Sequence, residues 1–351
     1  MRISELSGVK EIARRANVSI ATVDRVLHSR PGVAEKTKSK ILDIIDEIKY
    51  KPNILAKRLA SKRVYKFGIL IPNDVKESGY WQAPITGIES ALSEFGEFGV
   101  ELNYFLYDKD DRNSFVEQIE ELFKGHIDGI IVAPIFIKES LDLSIRCIEK
   151  RIQYVFIDTN ILDAKPLSFI GFDLFQSGRV VGNLCNYLLD EDDGVLVVNI
   201  AKHEDSLNRL KLRYEGFETY MKEYKREKSI KKIDFSSASM HSFETRMTKA
   251  LQNKKTKLIF VTGSHVHLVG QYLKKKNVKD ILVIGYEYST PNLEYLIEGY
   301  IDFLICQKPI EQGYRAFVAL YEHFIAKRKV DKMQFMPIDV VTRENFKYYE
   351  Y

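Results

Sequence analysis

One short segment near the start of the chain carries side chains suited to reading a DNA groove. If VSIATVDRVLH is helical, its open side presents Ala21, Thr22, Arg25 and His28. An arginine fork can donate to O6 and N7 of guanine, and the hydroxyls of Ser19 and Thr22 suit phosphate oxygens. The small Ala21 permits close approach to a major groove about 12 Å wide, and Ile20 can contact thymine methyls. The segment therefore predicts a recognition helix for double-stranded DNA.

Side chains of the kind that enzymes use are present without the motifs that organise them. The sequence has neither a G-x-S-x-G segment nor a Walker-type loop. His265 and His267 are two positions apart, as on one strand face, but no third metal ligand accompanies them. We therefore expect no catalytic residue, no metal and no cofactor, and the chain is interpreted as a non-enzyme.

The charge is distributed unevenly along the chain. Residues 1–66 hold 16 Lys and Arg against 7 Asp and Glu, a balance of +9, whereas the whole chain carries only +4. A basic head on a mildly acidic body is typical of a nucleic-acid-binding module joined to another domain. A merely solvated basic face is the alternative that charge alone leaves open. No apolar run is long enough to span a bilayer, the N-terminus does not resemble a signal peptide, and three scattered cysteines suggest no disulfide framework, so we expect a cytoplasmic protein.

Three helices are predicted to position the recognition segment. An apolar stripe of Val9, Ile12, Ala13 and Ala16 marks the first helix and leaves Glu11 on the opposite face. Asn17 suits a tight turn, and Ser19 is placed to cap the second helix. A third helix begins in a lysine-rich segment that includes Lys36, available for phosphates, and ends before Pro52. Two short helices joined by a tight turn predict a helix-turn-helix.

Residues 9–63 resemble the lactose/purine repressor family of bacterial transcription regulators. The similarity lies in VKEIARRANVS, ATV, RVL, KTK and YKPN, followed by AKRLA. It implies a hinge helix that Asn53 caps, that pairs with its dimer mate through Ala56, and that inserts Leu59 into the minor groove. The predicted domains are therefore a head at 8–51, a hinge helix at 52–63, and an effector-binding and dimerisation domain at 64–351.

The body alternates strands with helices, which predicts an α/β fold with parallel sheets. It resembles the family's two-lobed effector domain, similar to periplasmic sugar-binding proteins. We expect one lobe at about 64–162 and 303–328, and the other at about 163–290 and 331–351. The chain would then cross between lobes near Asn160–Pro166, Ser289–Asp302 and Lys329–Met336.

The resemblance also implies which side chains line a ligand cleft at the carboxyl ends of the strands. They are Trp81, Asp158, Asp173, Arg213, Ser264 and Glu287. Asp158 matches a family position that accepts from sugar hydroxyls, with a turn-capping aspartate as the alternative. Arg213 matches a family arginine whose fork binds two hydroxyls or a carboxylate, with a surface arginine as the alternative. Trp81 is expected to stack on a sugar ring rather than to pack in the core, and Asp173 is equally consistent with a structural role. Ser264 stands where relatives carry an Asn–Asp pair.

These features together predict a ligand-responsive, sequence-specific DNA-binding regulator. We expect a homodimer that reads a pseudo-palindromic operator and senses a sugar or sugar derivative, with no membrane partner. The alternative is a cytoplasmic small-molecule-binding protein, for a sugar or nucleobase, without regulatory DNA binding. Because one fold serves many functions, the head decides between them.

Overall fold

The computed structural model describes residues 8–27, 30–48, 50, 63–73, 79–96, 99–201, 204–226 and 230–349. The chain divides into two compact units, the first ending at Arg63 and the second beginning at Val64. No helix among these residues has the length and apolar character needed to cross a membrane.

In its described residues, the first unit has three helices around a small apolar core. They are α1 (Val9–Ala16), α2 (Ile20–Leu27) and α3 (Glu35–Glu47). Asn17 between α1 and α2 adopts the left-handed conformation, φ 56° and ψ 50°, as the sequence predicts. Ile12, Val23 and Ile41, one from each helix, have no exposed surface. The predicted helix-turn-helix is confirmed.

Glu11 does not lie on the solvent face of α1, as the sequence suggests. Only 4% of it is exposed, and its carboxylate accepts hydrogen bonds from Arg14 Nε at 2.7 Å and Arg15 Nε at 2.9 Å. Arg15 also donates to Glu47 of α3 at 3.0 Å, which links the two helices. The hydrogen bonds from Arg14 and Arg15 lower the pKa of Glu11 to about 2.

We expect this carboxylate to make the stability of the head depend on pH. Because its folded pKa lies below the unfolded value of about 4.3, the stabilisation is complete above that value and is lost as pH falls towards 2. Glu11→Gln should therefore weaken protection of the α1 amides at pH 6 but not at pH 2, measured by hydrogen exchange corrected for intrinsic rates. Glu35→Gln, at an exposed position, is the matched control; equal protection in both variants would contradict the role given to Glu11.

Two parallel sheets form the second unit. The strands are β1 (Tyr65–Pro72), β2 (Val100–Tyr107), β3 (Gly129–Val132), β4 (Gln153–Asp158), β5 (Ser168–Gly171), β6 (Gly194–Ala201), β7 (Ile230–Ser236), β8 (Thr256–Val261), β9 (Leu282–Tyr286), β10 (Phe303–Cys306), β11 (Met333–Phe335) and β12 (Asp339–Val341). The first sheet has the order β11-β5-β4-β3-β1-β2 and the second the order β12-β10-β9-β8-β6-β7. Among the described strands, only β12 runs antiparallel to its neighbour, β10. The predicted fold class, α/β with parallel sheets and a helical head, is confirmed.

Helices cover both sheets. They are α4 (Gln82–Phe95), α5 (Arg112–Lys124), α6 (Ile137–Lys150), α7 (Leu174–Leu188), α8 (Glu204–Glu223), α9 (Phe243–Ala250), α10 (Val266–Lys276), α11 (Thr290–Ile297) and α12 (Pro309–Tyr321). Short helical turns lie at Ser237–Ser242, Glu322–Ala326 and Phe346–Tyr348. Helices α4 and α12 pack together in the lobe of the first sheet, and α7 and α8 pack together in the lobe of the second.

The sheets correct the predicted lobe boundaries. Strand β5 pairs with β4 and belongs to the first lobe, although the sequence placed residues from 163 onwards in the second. Strand β10 pairs with β9 in the second lobe, whereas 303–328 was predicted to return to the first. The chain thus crosses after Gly171, between Cys306 and Pro309, and between Phe335 and Asp339. Strand pairing decides lobe membership, and the alternation of strands and helices alone does not reveal it.

Glycines fix the position of α8, which carries Arg213. A Cβ at Gly216 would lie 1.9 Å from the carbonyl oxygen of Phe175 on α7, and one at Gly178 would lie 1.9 Å from the carbonyl oxygen of Arg213. Because real side chains do not approach backbone so closely, only glycine permits this helix contact. Gly216, three residues after Arg213, therefore holds the helix that presents this arginine.

Candidate DNA-binding surface and interlobe ligand site

The start of α2 forms the candidate DNA-binding surface. The Ser19 hydroxyl accepts from the Thr22 amide at 3.1 Å, the predicted N-cap, and lies 2.9 Å from the Thr22 hydroxyl. Ala21 and Arg25 are exposed, and Ile20 is half exposed. Lys36 is exposed at the start of α3. The predicted residues His28, Asn53, Ala56 and Leu59 lie outside the described residues, and the DNA contacts stay predictions.

The carboxylate of Asp158 accepts four side-chain hydrogen bonds at the cleft. Asp158 ends β4 with a left-handed backbone, φ 65°, and only 6% of it is exposed. Its Oδ1 accepts from Tyr80 Oη at 3.1 Å and from Gln307 Nε2 at 2.8 Å, and its Oδ2 accepts from the Thr159 hydroxyl at 3.0 Å. The Asp158 amide donates to Gln312 Oε1 at 3.1 Å. These contacts hold a carboxylate at the carboxyl end of its strand, where open α/β sheets bind ligands.

Arg209 connects the two lobes directly. It lies on α8 of the second lobe, and its Nη1 is 2.8 Å from Oδ2 of Asp158 in the first lobe. About 29% of the Arg209 side chain and 7% of the Asp158 side chain are exposed. Arg209 was not predicted as a cleft residue, although it precedes Arg213 by four residues and therefore shares its helix face. Arg209 is a second cation at the same cleft.

Arg213 is buried, with 5% of its surface exposed. Its Nη1 donates to the carbonyl oxygen of Thr262 at 2.9 Å, and its guanidinium lies 3.8 Å from the centre of the Tyr286 ring. Its Nε is buried and has no hydrogen-bond partner among the residues that the structure describes. Burial lowers the pKa of Arg213. The alternative of a surface arginine is wrong, because the second lobe encloses this side chain.

Glu287 is the counterpart of Asp158 in the second lobe. It follows β9 with φ 74°, and its amide donates to the carbonyl oxygen of Ile305 at 3.1 Å. The buried amide of Asn292 donates to the carbonyl oxygens of Glu287 at 2.9 Å and Ser264 at 3.0 Å. Asn292 thus holds two predicted cleft residues side by side through their main chains. His267 also contacts Asn292 Oδ1, through its amide and ring Nδ1, both at 3.1 Å.

Two other predicted cleft residues have structural contacts. Trp81 is buried and packs edge-on against Tyr80, with ring centres 5.1 Å apart. It therefore supports the tyrosine that donates to Asp158, and stacking on a sugar stays a prediction. Asp173 caps α7 by accepting from the Gln176 amide at 2.9 Å, the structural alternative for this residue.

Gln307 and Gln312 complete the hydrogen-bond network around Asp158, and neither was predicted as a cleft residue. Gln307 contacts both Asp158 and Tyr80, and Gln312 Nε2 donates to Gln307 Oε1 at 2.9 Å. Gln307 lies at the second crossing, between β10 and α12. The sequence offers no signal for this pair, because amide side chains near a helix start are usually surface residues. The crossing is therefore tied to the carboxylate of the cleft.

Comparison with known proteins agrees with both units. Residues 67–328 match the family model for a periplasmic binding protein domain, and residues 8–53 match the model for bacterial regulatory proteins of the lacI family. Catabolite control protein A of Streptococcus mutans is 34% identical over 132 residues, 37% of this chain and 38% of that protein. The transcriptional regulator RegA of Clostridium saccharobutylicum is 30% identical over 218 residues, 62% of this chain and 61% of that protein.

These matches span less than two thirds of the length of both curated relatives. Among solved structures, a candidate LacI transcriptional regulator from Bacteroides fragilis has a TM-score of 0.74 and 29% identity. The likeness covers 82% of this chain and all of that one. The chain therefore belongs to the periplasmic binding protein domain family over residues 67–328, and it carries a DNA-binding domain of the lacI type at residues 8–53.

Proposed function

We propose that this chain is a ligand-responsive, sequence-specific DNA-binding transcriptional regulator acting in the cytoplasm. The observation that carries the proposal is the contact of Asp158 with Arg209, which makes closure of the two lobes depend on groups in the cleft. The exposed Arg25 on α2 supplies the base-reading side chain. A ligand that changes the cleft can then change the state of the lobes, a two-state element that two sites share.

The ligand we propose is a sugar or sugar derivative. Asp158 accepts hydrogen bonds from sugar hydroxyls, and the guanidinium groups of Arg209 and Arg213 donate to hydroxyl or carboxylate oxygens. A sugar that enters must replace or bridge the Arg209–Asp158 pair, so its binding acts on the lobe contact itself.

The DNA site we propose is a pseudo-palindrome read by a homodimer. Each head would place α2 in a major groove, and half-sites one or more helical turns apart would match the two-fold axis. Segments 52–63 of the two chains would pair as hinge helices in the minor groove between the heads. Lobe closure would alter the separation of the hinge attachments and so favour or oppose hinge pairing.

The first experiment combines ligand screening with operator selection. The full chain is screened by thermal shift against sugars, sugar phosphates and nucleobases, and any stabilising compound is added to a binding selection on random duplexes. A stabilising sugar that shifts the affinity for a selected palindrome supports the regulator. A stabilising compound with no selected DNA and no salt-dependent duplex binding favours the small-molecule-binding alternative.

Leu59→Ala tests the hinge. A leucine wedge opens a base step and kinks the duplex, so its loss should weaken operator binding roughly tenfold or more and reduce the bend. Binding is measured by fluorescence anisotropy and bending by the mobility of circularly permuted fragments. Leu162→Ala, at a position 93% exposed on the body, is the control. Unchanged operator affinity and bend in Leu59→Ala would show that the hinge assignment is wrong.

A further inference from the structure

A groove lies beside β7, the edge strand of the second sheet. Its volume is about 740 Å³, and its lining combines apolar surface with cations. The apolar part comes from Leu196 of β6, Ile233 of β7 and Ala250 at the end of α9. Among the residues that the structure describes, no aspartate or glutamate lines the groove. The groove therefore suits an apolar side chain that acidic groups accompany.

Three basic side chains adjoin this apolar surface. Lys231 lies on the same face of β7 as Ile233, because side chains alternate along a strand, and Arg246 and Lys249 lie three residues apart on one face of α9. The Arg246 guanidinium packs on the ring of Phe235, 4.4 Å from its centre. Lys231 and Lys249 are exposed and have no ion pair within the described part of the chain.

Acidic residues of the same elements do not cancel this charge. Asp234 and Glu244 are the acids of β7 and α9. Asp234 lies 3.7 Å from Lys232, whose ammonium is over the Tyr214 ring on the opposite face of β7. Glu244 pairs with Lys275 of α10 at 2.6 Å. The groove therefore keeps its positive charge.

A segment of complementary character lies at the same end of the same sheet. Tyr187 and Leu188, at the end of α7, are 78% and 39% exposed. Residues 190–193 are all acidic, and β6 begins directly after them at Gly194. Leu196 of the groove follows two residues later. Segment 187–193 thus places an exposed aromatic side chain and four carboxylates close to the groove.

The acidic turn has a fixed shape and a net negative charge. The Asp190 amide donates to Oδ2 of Asp193 at 2.9 Å, which closes the turn. Lys255 lies 3.8 Å from Asp192, but both side chains are largely exposed, so their attraction is weak. Arg226 donates to the main-chain carbonyl of residue 189 at 2.8 Å. Four carboxylates thus outnumber the two cations beside them.

We infer that the groove binds segment 187–193 of a second copy of this chain, with Tyr187 against the apolar lining and the acidic turn against the three cations. Because groove and segment lie side by side on one lobe, a two-fold axis between two copies lets each segment meet the other copy's groove, and both contacts form together. The surface belongs to the second lobe alone, so the inference depends neither on the proposed ligand nor on DNA binding.

Sedimentation velocity of the full chain tests this association in about 50 mM and about 500 mM salt. We expect wild type to form larger species in low salt that dissociate in high salt, where the charges are screened. Tyr187→Ala, at an exposed position, should raise the dissociation constant at least tenfold.

Charge reversal provides a sharper test. One variant combines Lys231→Glu with Lys249→Glu, and the other combines Asp190→Lys with Glu191→Lys. Each alone should lose the association, because groove and turn then carry the same sign. A mixture of the two should restore it, because each groove again meets a turn of opposite sign.

The control combines Lys138→Glu with Lys329→Glu, two exposed lysines outside the groove, and should associate as wild type does. Circular dichroism checks folding, and Tyr187→Ala provides the test if a reversed variant does not fold. Wild type with no salt-dependent association would overturn the inference and leave the groove to a different acidic partner. So would a mixture that stays dissociated, or a reversed variant or Tyr187→Ala that associates as strongly as wild type.

Discussion

Asp158→Asn should weaken binding of the stabilising sugar by about 2–4 kcal/mol, roughly 30- to 1,000-fold in Kd. The carboxylate accepts four side-chain hydrogen bonds, including one from Arg209 of the other lobe. An amide has only one accepting oxygen and no charge, so it leaves buried donors unsatisfied in the closed cleft. Isothermal titration of the full chain measures the loss directly.

The same substitution has an effect that needs no ligand. Without the charge on residue 158, Arg209 loses its partner across the cleft, and the unliganded body should populate more open states. Small-angle scattering should then report a larger radius of gyration for Asp158→Asn than for wild type. Asp173→Asn is the matched control, because asparagine caps a helix about as well as aspartate. Equal ligand affinities and equal dimensions in both variants would refute the role proposed for Asp158.

Arg25→Ala should weaken binding to the selected operator by about 1–3 kcal/mol and relax its sequence preference at one base pair of each half-site. The guanidinium is exposed on α2, so its removal leaves the buried residues of the head unchanged. A repeated selection with the variant identifies the base pair that it reads. Loss of preference at a single position separates base reading from general electrostatic attraction.

Two further variants sharpen this result. Lys36→Ala should reduce the slope of log affinity against log salt by about 1 and keep the sequence preference, as expected for a phosphate contact. Arg328→Ala removes an exposed arginine of the body and should change neither quantity. If Arg25→Ala alters only the salt slope, Arg25 contacts the backbone, and another residue of α2 reads the bases.

The sequence predicted those features that depend on local pattern. The apolar stripe of α1, the left-handed Asn17 and the Ser19 cap follow from propensities acting within a few residues. The parallel sheets follow from the alternation of strands and helices. Asp158 and Arg213 were predicted from the family resemblance. The short sequences around them match the family at the end of a strand and in a helix, respectively. For these parts, nearby sequence is sufficient.

Contacts between distant parts of the chain were not predicted. Arg209 and Asp158 are separated by 51 residues, and Gln307 and Asp158 by 149. Nothing in an isolated arginine or glutamine specifies such a partner, since the pairing depends on how the lobes meet. The lobe boundaries were misplaced for the same reason. The burial of Glu11 was not predicted for a different, local reason. Arg14 and Arg15 donate hydrogen bonds to its carboxylate, and these bonds compensate for the loss of water on burial.

The left-handed backbone at Glu287 affects which substitutions this protein can accept during evolution. The left-handed conformation destabilises the folded state by about 1 kcal/mol when the residue is glutamate, whereas glycine or asparagine adopts it readily. Substitution by either residue would make the fold more robust while removing a negative charge from beside Arg209 and Arg213. Under the proposed ligand site, stability and ligand preference therefore oppose each other at this position. Substitutions that stabilise the fold at residue 287 should therefore also lower the affinity for the present ligand. The same substitutions should make a change of ligand specificity possible without loss of stability.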